Sequence, residues 1–172
     1  MHILCYFIFV IFVLKLLCKM KILTITKGGD IIKTIKVSKR EMKHTSRGVF
    51  QYINKKPLKM LKGGHGEQNI NYLKKNKLVH QINHIDSNGV RHGQINCHAR
   101  PNERKPGGHV WFPQKWNDST IARAGEHVAN LKKNVKKKDH APMYGKYKKV
   151  YVVTYKAFGR ICGICPNFKQ EK

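Results

Sequence analysis

The chain has 172 residues, with 35 Lys and Arg against 9 Asp and Glu, a formal net charge of +26. That length holds one modest domain and a leader and excludes two full domains. Five cysteines, an odd number, exclude a fully paired disulfide framework. The charge excludes a neutral domain with a basic tail, because residues 1–60 carry 13 basic and 2 acidic residues and residues 61–172 carry 22 and 7. A surface of this kind suits a polyanion: RNA, DNA, an anionic membrane or an acidic protein. The basic residues are mostly Lys, and Asn and Ile are also frequent, so codon bias is a competing source of the charge.

Residues 3–14, "ILCYFIFVIFVL", are twelve consecutive apolar residues, and Lys15 and "LLCKMK" follow. Twelve is short for a membrane span and suits a signal-peptide core. The positive charges follow the run instead of preceding it, and no small-x-small cleavage site is visible. Residues 1–20 are expected to be an apolar leader, signal-like or a weak membrane anchor. Residues 21–60 are expected to be a basic linker, with "GDIIKTIKV" as a short strand and "SKREMKHTSRG" as a polar connector. The folded domain is expected at 61–172.

From there the pattern is more regular. Residues 66–76 predict a short helix with Ile70, Leu73 and Tyr72 inward. "KLVHQINHI" and "VRHGQIN" predict two strands joined at Asn88-Gly89, both of which tolerate positive φ. Residues 97–110 read as a loop rich in Pro, Gly and Arg. "WNDSTIARAGEHVANLKK" is the clearest helix: Asn117 or Asp118 caps it, Ile121, Ala124, Val128 and Leu131 share a face, and Lys132 and Lys133 sit near its carboxyl end. "KKVYVVTYK" and "GRICGIC" predict two strands around a turn at 157–159. The fold class is α+β with antiparallel sheet and a few short helices.

Eight of the ten histidines lie between residues 65 and 140. His80, His84, His92, His127 and His140 read as surface or same-face strand residues. His65, in "GGHGEQN", precedes a helix whose positive end favours a neutral ring, as a general base needs. Its glycines would let a polymer backbone approach. His98 is followed by Arg100, Arg104 and Lys105, a cluster suited to phosphate. His109, in "PGGHVWF", is a third candidate. Two histidines and a cation suffice to cut RNA without a metal. One imidazole takes the 2′-hydroxyl proton, the other protonates the departing 5′-oxygen, and cations stabilise the charge on phosphorus. Cys162-Gly163-Ile164-Cys165 matches C-x-x-C, but no second C-x-x-C completes a zinc ribbon. Two half-buried strand cysteines are the expectation.

The stretch "GGHGEQNINYL … NGVRHGQINCH … ERKPGGHVWFPQKWNDSTIARAGEHVANL" resembles the bacterial EndoU family, small endoribonuclease domains that often form the toxic parts of polymorphic toxins in bacterial competition. The resemblance covers residues 61 to about 168, and "WFPQKW" followed by a capped helix is its most specific element. It implies an EndoU-like fold, no cofactor, catalysis by His65 and His98, and a substrate contact from His109, while Arg100, Arg104 and Lys105 remain candidate substrate contacts on the charge of their loop. It implies anchoring roles for Trp111, Phe112, Pro113 and Trp116. It also implies RNA as substrate, an acidic immunity protein as partner, and secretion or delivery to a target cell.

The final strand departs from the family pattern. A Thr or Ser and an aromatic residue are expected where Gly163 and Cys165 stand, so a hydroxyl that would contact substrate is missing. Thr154 or Tyr155 on the neighbouring strand are the candidate replacements. Two other readings stay open: a weakened remnant that binds RNA or an immunity protein, and a zinc site using His80, His84 and the C-x-x-C.

Overall fold

Ser38 and Glu41 open the first helix. The Ser38 hydroxyl accepts a hydrogen bond from the Glu41 amide at 3.2 Å and caps helix α1 (Lys39–Arg47). The computed structural model describes residues 34–99 and 108–170. From Ile35 onward the described residues belong to one compact unit. The segment read from the sequence as a polar connector is therefore helical. Its inward residues are Met42, Thr45 and Ser46, and two of these are polar, so the helix carries little apolar period. The leader lies outside the described residues. So does most of the expected strand at 29–37, of which Val37 forms an isolated parallel bridge to Ile161.

Strands β1 (Val49–Ile53) and β2 (Lys56–Lys62) pair antiparallel across a two-residue turn, Asn54 and Lys55, both left-handed at φ 49° and 63°. Helix α2 (Glu67–Lys75) follows, with Ile70 and Leu73 buried as its periodicity requires. Strands β3 (His80–Ile85), β4 (Arg91–Ile95) and β5 (His109–Trp111) form a three-stranded sheet in that order. The β3–β4 connection closes at Asp86 and Val90, whose amide-to-carbonyl bond is 2.8 Å. Gly89 is left-handed at φ 86°, whereas Asn88 is not among the positive-φ residues. The loop is thus longer than the expected two-residue turn.

Asn117 caps α3 (Asp118–Ala129), its side-chain oxygen accepting from the Thr120 amide at 2.9 Å. The helix ends at Asn130. Lys132 and Lys133 belong to a separate short helix, α4 (Lys132–Val135), instead of the last turn of α3. A second antiparallel sheet, β6 (Met143–Tyr147), β7 (Val150–Ala157) and β8 (Arg160–Pro166), completes the unit. The β7–β8 turn falls at Phe158 and Gly159, both left-handed. The expected α+β class with antiparallel sheets and a few short helices is the class observed.

Two hydrophobic cores result. One lies between α3 and the β6–β7–β8 sheet and includes Ile121, Ala124, Val128, Met143, Val152 and Ile164. The other joins the β1–β2 hairpin, α2 and β4 through Phe50, Met60, Ile70, Leu73 and Ile95. Consecutive residues tie them together: Trp111 is buried in the second core and Phe112 in the first. Trp116 stacks on Phe112 with ring centroids 5.3 Å apart. Burying such rings supplies both area and direction, so the "WF" dipeptide fixes the path of β5 between the cores.

Arg91 reinforces that junction. It is 5% exposed, pairs with Glu67 at 2.6 Å, and donates from Nε and Nη2 to the Phe112 carbonyl at 3.1 and 2.8 Å. Removing one member of a buried pair leaves the other charge unpaired. Arg91→Ala is expected to cost about 3 kcal/mol of unfolding free energy, read from the denaturant midpoint at unchanged slope.

Candidate active site

Residues 63–66 connect β2 to α2 and run against the end of α1. The Gly64, His65 and Gly66 amides donate to the carbonyls of His44, Thr45 and Ser46 at 3.1, 2.6 and 3.0 Å. The other side of the segment meets β5, where the Phe112 amide donates to the His65 carbonyl at 2.8 Å. Gly63 and Gly64 are left-handed, at φ 73° and 77°. A Cβ at Gly63 would lie 2.2 Å from the His44 carbonyl oxygen, and one at Gly64 would lie 2.6 Å from both Met60 Cε and Asn69 Nδ2. At Gly66 it would lie 2.5 Å from the Ser46 hydroxyl. These glycines do not clear a path for a polymer, as the sequence suggested; protein atoms occupy the space. Their role is to seat His65.

The His65 ring is fixed as well. Its Nδ1 lies 2.7 Å from the Val110 carbonyl oxygen. A carbonyl only accepts, so Nδ1 carries the proton and Nε2 is the basic nitrogen of the neutral ring. The His109 ring stacks on it, centroids 4.7 Å apart and planes 3° from parallel. His109 donates from Nε2 to the Gly64 carbonyl at 2.8 Å and meets Trp111 edge-on at 4.6 Å. The His98 ring lies 5.9 Å from that of His109. Three histidines widely separated in sequence thus form one cluster, with His109 in the middle. All three are buried, at 8%, 5% and 2% exposure for His65, His98 and His109.

A cavity of about 600 Å³ opens beside His65, lined on one side by His44, Thr45 and Gly63 and on the other by β7 and β8. Val153, Tyr155, Cys162, Gly163 and Cys165 belong to that second wall. His109 is buried against His65 and His98 against His109, and the lining of this cavity includes neither. Tyr155 pairs with Gly163 across the sheet, and Val153 with Cys165. A Cβ at Gly163 would meet only Tyr155 Cδ2, at an ordinary 3.6 Å. Thr154 is fully buried and is absent from the cavity wall. Of the two replacements expected for the missing hydroxyl, the fold turns Tyr155 toward the cavity and Thr154 toward the core. Arg100, Arg104 and Lys105 lie outside the described residues.

Cys97, Cys162 and Cys165 are each half-buried, and Cys97 and Cys162 are free thiols. Burial, the largest effect, and the charge of Glu41 push the Cys162 thiol up, which keeps it protonated and poorly nucleophilic. Cys162 and Cys165 are three residues apart on an extended strand, on the order of 10 Å, beyond the reach of a disulfide. His80 and His84 sit on β3, in the other sheet. His84 and His92 both bind Asp86, at 3.1 and 2.7 Å. Among the described residues no three His, Cys, Asp or Glu side chains gather as a metal site. The zinc reading therefore lacks its assembled ligand set.

Sequence reasoning missed His44, Thr45 and Lys62. The first two belong to the helix read as a connector; the Ser38-x-x-Glu41 capping pattern was the available signal. Lys62 precedes the glycines, and its charge acts on both His44 and Cys162, so its field reaches the cavity.

A basic α+β domain with a histidine cluster seated at a cavity is thereby defined. The model of the bacterial EndoU nuclease family matches residues 39–164, starting at the first residue of α1, and the chain belongs to that family. Comparison with curated proteins and with solved structures gives no match.

Two outcomes are expected. Gly63→Ala should lower the melting temperature by several degrees more than Gly163→Ala, because only the first combines a left-handed backbone with a backbone clash. The second expectation concerns acid. Burial, the leading cause, holds His44 below its usual value of 6.5 despite the opposing pull of Glu41. The unfolded chain then binds the proton more readily, so the stabilisation is complete above about pH 6.5 and declines as pH falls below it. His44→Gln should flatten the pH dependence of the denaturation midpoint in that window.

Proposed function

We propose that the protein is an endoribonuclease that cleaves RNA by transesterification without a metal ion. The observation that carries this reading is the His65–His109–His98 cluster beside a cavity in a basic domain of a nuclease family. His65 Nε2 takes the proton from the 2′-hydroxyl. The 2′-oxygen attacks phosphorus, the bond to the 5′-oxygen breaks, and protonated His98 gives that oxygen its proton. The products are a 2′,3′-cyclic phosphate and a 5′-hydroxyl. Lys62, with Arg100, Arg104 and Lys105 from the loop, supplies positive charge for the phosphorane.

A specific observation favours a second assignment of the acid. His109 stacks directly on His65, whereas the ring contact of His98 is with His109. Gly163 leaves the wall without the substrate-contacting hydroxyl that the family resemblance implies, so selectivity among RNA bases is expected to be relaxed. The same departure supports the remnant reading, in which RNA is bound but not cut. As part of the proposal, the enzyme acts as a toxin delivered to a target cell. An acidic immunity protein would match the net charge of residues 61–172, 22 basic against 7 acidic.

The test is cleavage of a labelled RNA in EDTA by the wild type and by His65→Ala, His98→Ala and His109→Ala. Loss of about 10²–10⁴-fold in rate is expected for His65→Ala and His98→Ala. Full activity in His65→Ala would remove the base from the mechanism. A loss at His109 with activity kept at His98 would transfer the acid to His109, and salt-sensitive binding with no cleavage by the wild type would leave the remnant.

A further inference from the structure

The β1–β2 hairpin carries features that the catalytic cluster does not use. Tyr52 is 46% exposed, although its hydroxyl is held: it accepts from Arg47 Nη2 at 3.0 Å and shares a hydrogen bond with the Tyr72 hydroxyl at 2.9 Å. The Arg47 guanidinium lies over the Tyr72 ring, 4.2 Å from its centroid, and Phe50 packs against Tyr72 at 4.7 Å. A buried, a half-buried and an exposed ring therefore form one strip, braced by an arginine. Such a brace removes rotamer freedom from an exposed ring before any partner arrives.

The charge around the strip has one sign. Residues 42–85 contain nine Lys and Arg and a single acid, Glu67, which is already paired with Arg91. Lys55, Lys56, Lys59 and Lys62 lie on or next to the hairpin strands and are exposed. The hairpin is also continuous with the site. Lys62 ends β2, and Gly63, Gly64 and His65 follow. Met60 of β2 bridges His98, with its amide on the Cys97 carbonyl at 2.9 Å. From Lys62, Tyr52 is about 10 Å along the paired strand.

From this juxtaposition we propose that the hairpin is an RNA-binding surface outside the cavity, with Tyr52 stacking on a base and Lys55, Lys56 and Lys59 tracking the phosphates of a single-stranded segment that continues from the cleavage point. The inference rests on the reading of RNA as substrate. Lys55 sits in the turn, and Lys56 and Lys59 stand opposite Ile53 and Gln51, the neighbours of Tyr52, so a strand stacked on the ring passes around the hairpin edge to reach them. An exposed ring bordered by cations is the arrangement that holds single strands without reading their sequence. A purely acidic protein partner would use the lysines and leave the braced ring unexplained. The surface sets affinity for longer substrates, while the chemistry on a minimal substrate does not depend on it.

The experiment compares the full chain with Tyr52→Ala, Tyr52→Phe and a triple Lys55, Lys56 and Lys59→Gln variant. An RNA of about 12 nucleotides and a cleavable dinucleotide are the probes. For the longer RNA, Tyr52→Ala should raise KM about tenfold, within the range for one base–aromatic stack. Tyr52→Phe should keep most of the affinity, because the ring remains. The triple variant should lower the salt slope of RNA binding by about 2. Dinucleotide turnover should be unchanged in all three, which also shows that they fold. Equal KM values for the longer RNA across the set would overturn the proposal. So would tight binding of poly-glutamate that the triple variant loses while keeping RNA affinity, a result that points to an acidic protein. Anisotropy of the labelled RNA separates this claim from the catalytic one. Tyr52-dependent binding without cleavage supports the surface and sinks the mechanism, whereas cleavage indifferent to Tyr52 and the lysines does the reverse.

Discussion

The close approach of residues 63–66 to the end of α1 is the constraint on which the site depends. Three consecutive amides donate to three consecutive helix-end carbonyls, at His44, Thr45 and Ser46. Helix ends leave such carbonyls short of partners inside the helix; the His44 carbonyl also accepts from the Gly48 amide at 3.0 Å, and the segment that carries His65 supplies donors to those of Thr45 and Ser46. That contact needs side chains absent at positions 63, 64 and 66, since added atoms would meet His44, Met60, Asn69 and Ser46. Once the backbone is seated, the Val110 carbonyl sets the tautomer of His65, and the ring faces the cavity with its basic nitrogen defined.

Strand β5 makes the second half of the arrangement. Its three residues place His109 on His65, offer the Val110 carbonyl to the same ring and send Trp111 into one core, and Phe112, which follows, enters the other. The Trp111 indole also donates to Asn69 at 3.0 Å, and the same Asn69 donates to the Arg47 carbonyl. Two cores, α1, α2 and the histidines are therefore coupled through a few hydrogen bonds and one aromatic pair. A site held this way loses little entropy on engaging substrate.

Elements with local signals were legible in the sequence. The Asn117 cap and the apolar spacing of α3, the Ile70 and Leu73 face of α2, and the turn at Phe158 and Gly159 all follow from chemistry within a few residues. The hidden elements lack such signals. Helix α1 buries Thr45 and Ser46, with the Ser46 hydroxyl donating to Asp118, so polar burial replaces an apolar stripe. The β1–β2 turn uses Asn54 and Lys55 without a glycine, and Pro57 reads as a breaker although it is tolerated in a strand with a free edge. The histidines were legible one by one, in glycine-rich or loop settings and through the family resemblance. Their order in space, with His109 between the other two, depends on tertiary packing that no local spacing encodes. Lys62, one lysine among many, carries no sequence signal.

The central claim is that these histidines turn RNA's own 2′-hydroxyl into the nucleophile. The most direct measurement uses an oligoribonucleotide and the same sequence with every 2′-hydroxyl replaced by hydrogen, followed by mass analysis of the ends. The account predicts cleavage of the first alone, with 2′,3′-cyclic phosphate and 5′-hydroxyl termini. Cleavage of the deoxy chain, or products ending in 3′-hydroxyl and 5′-phosphate, would contradict it.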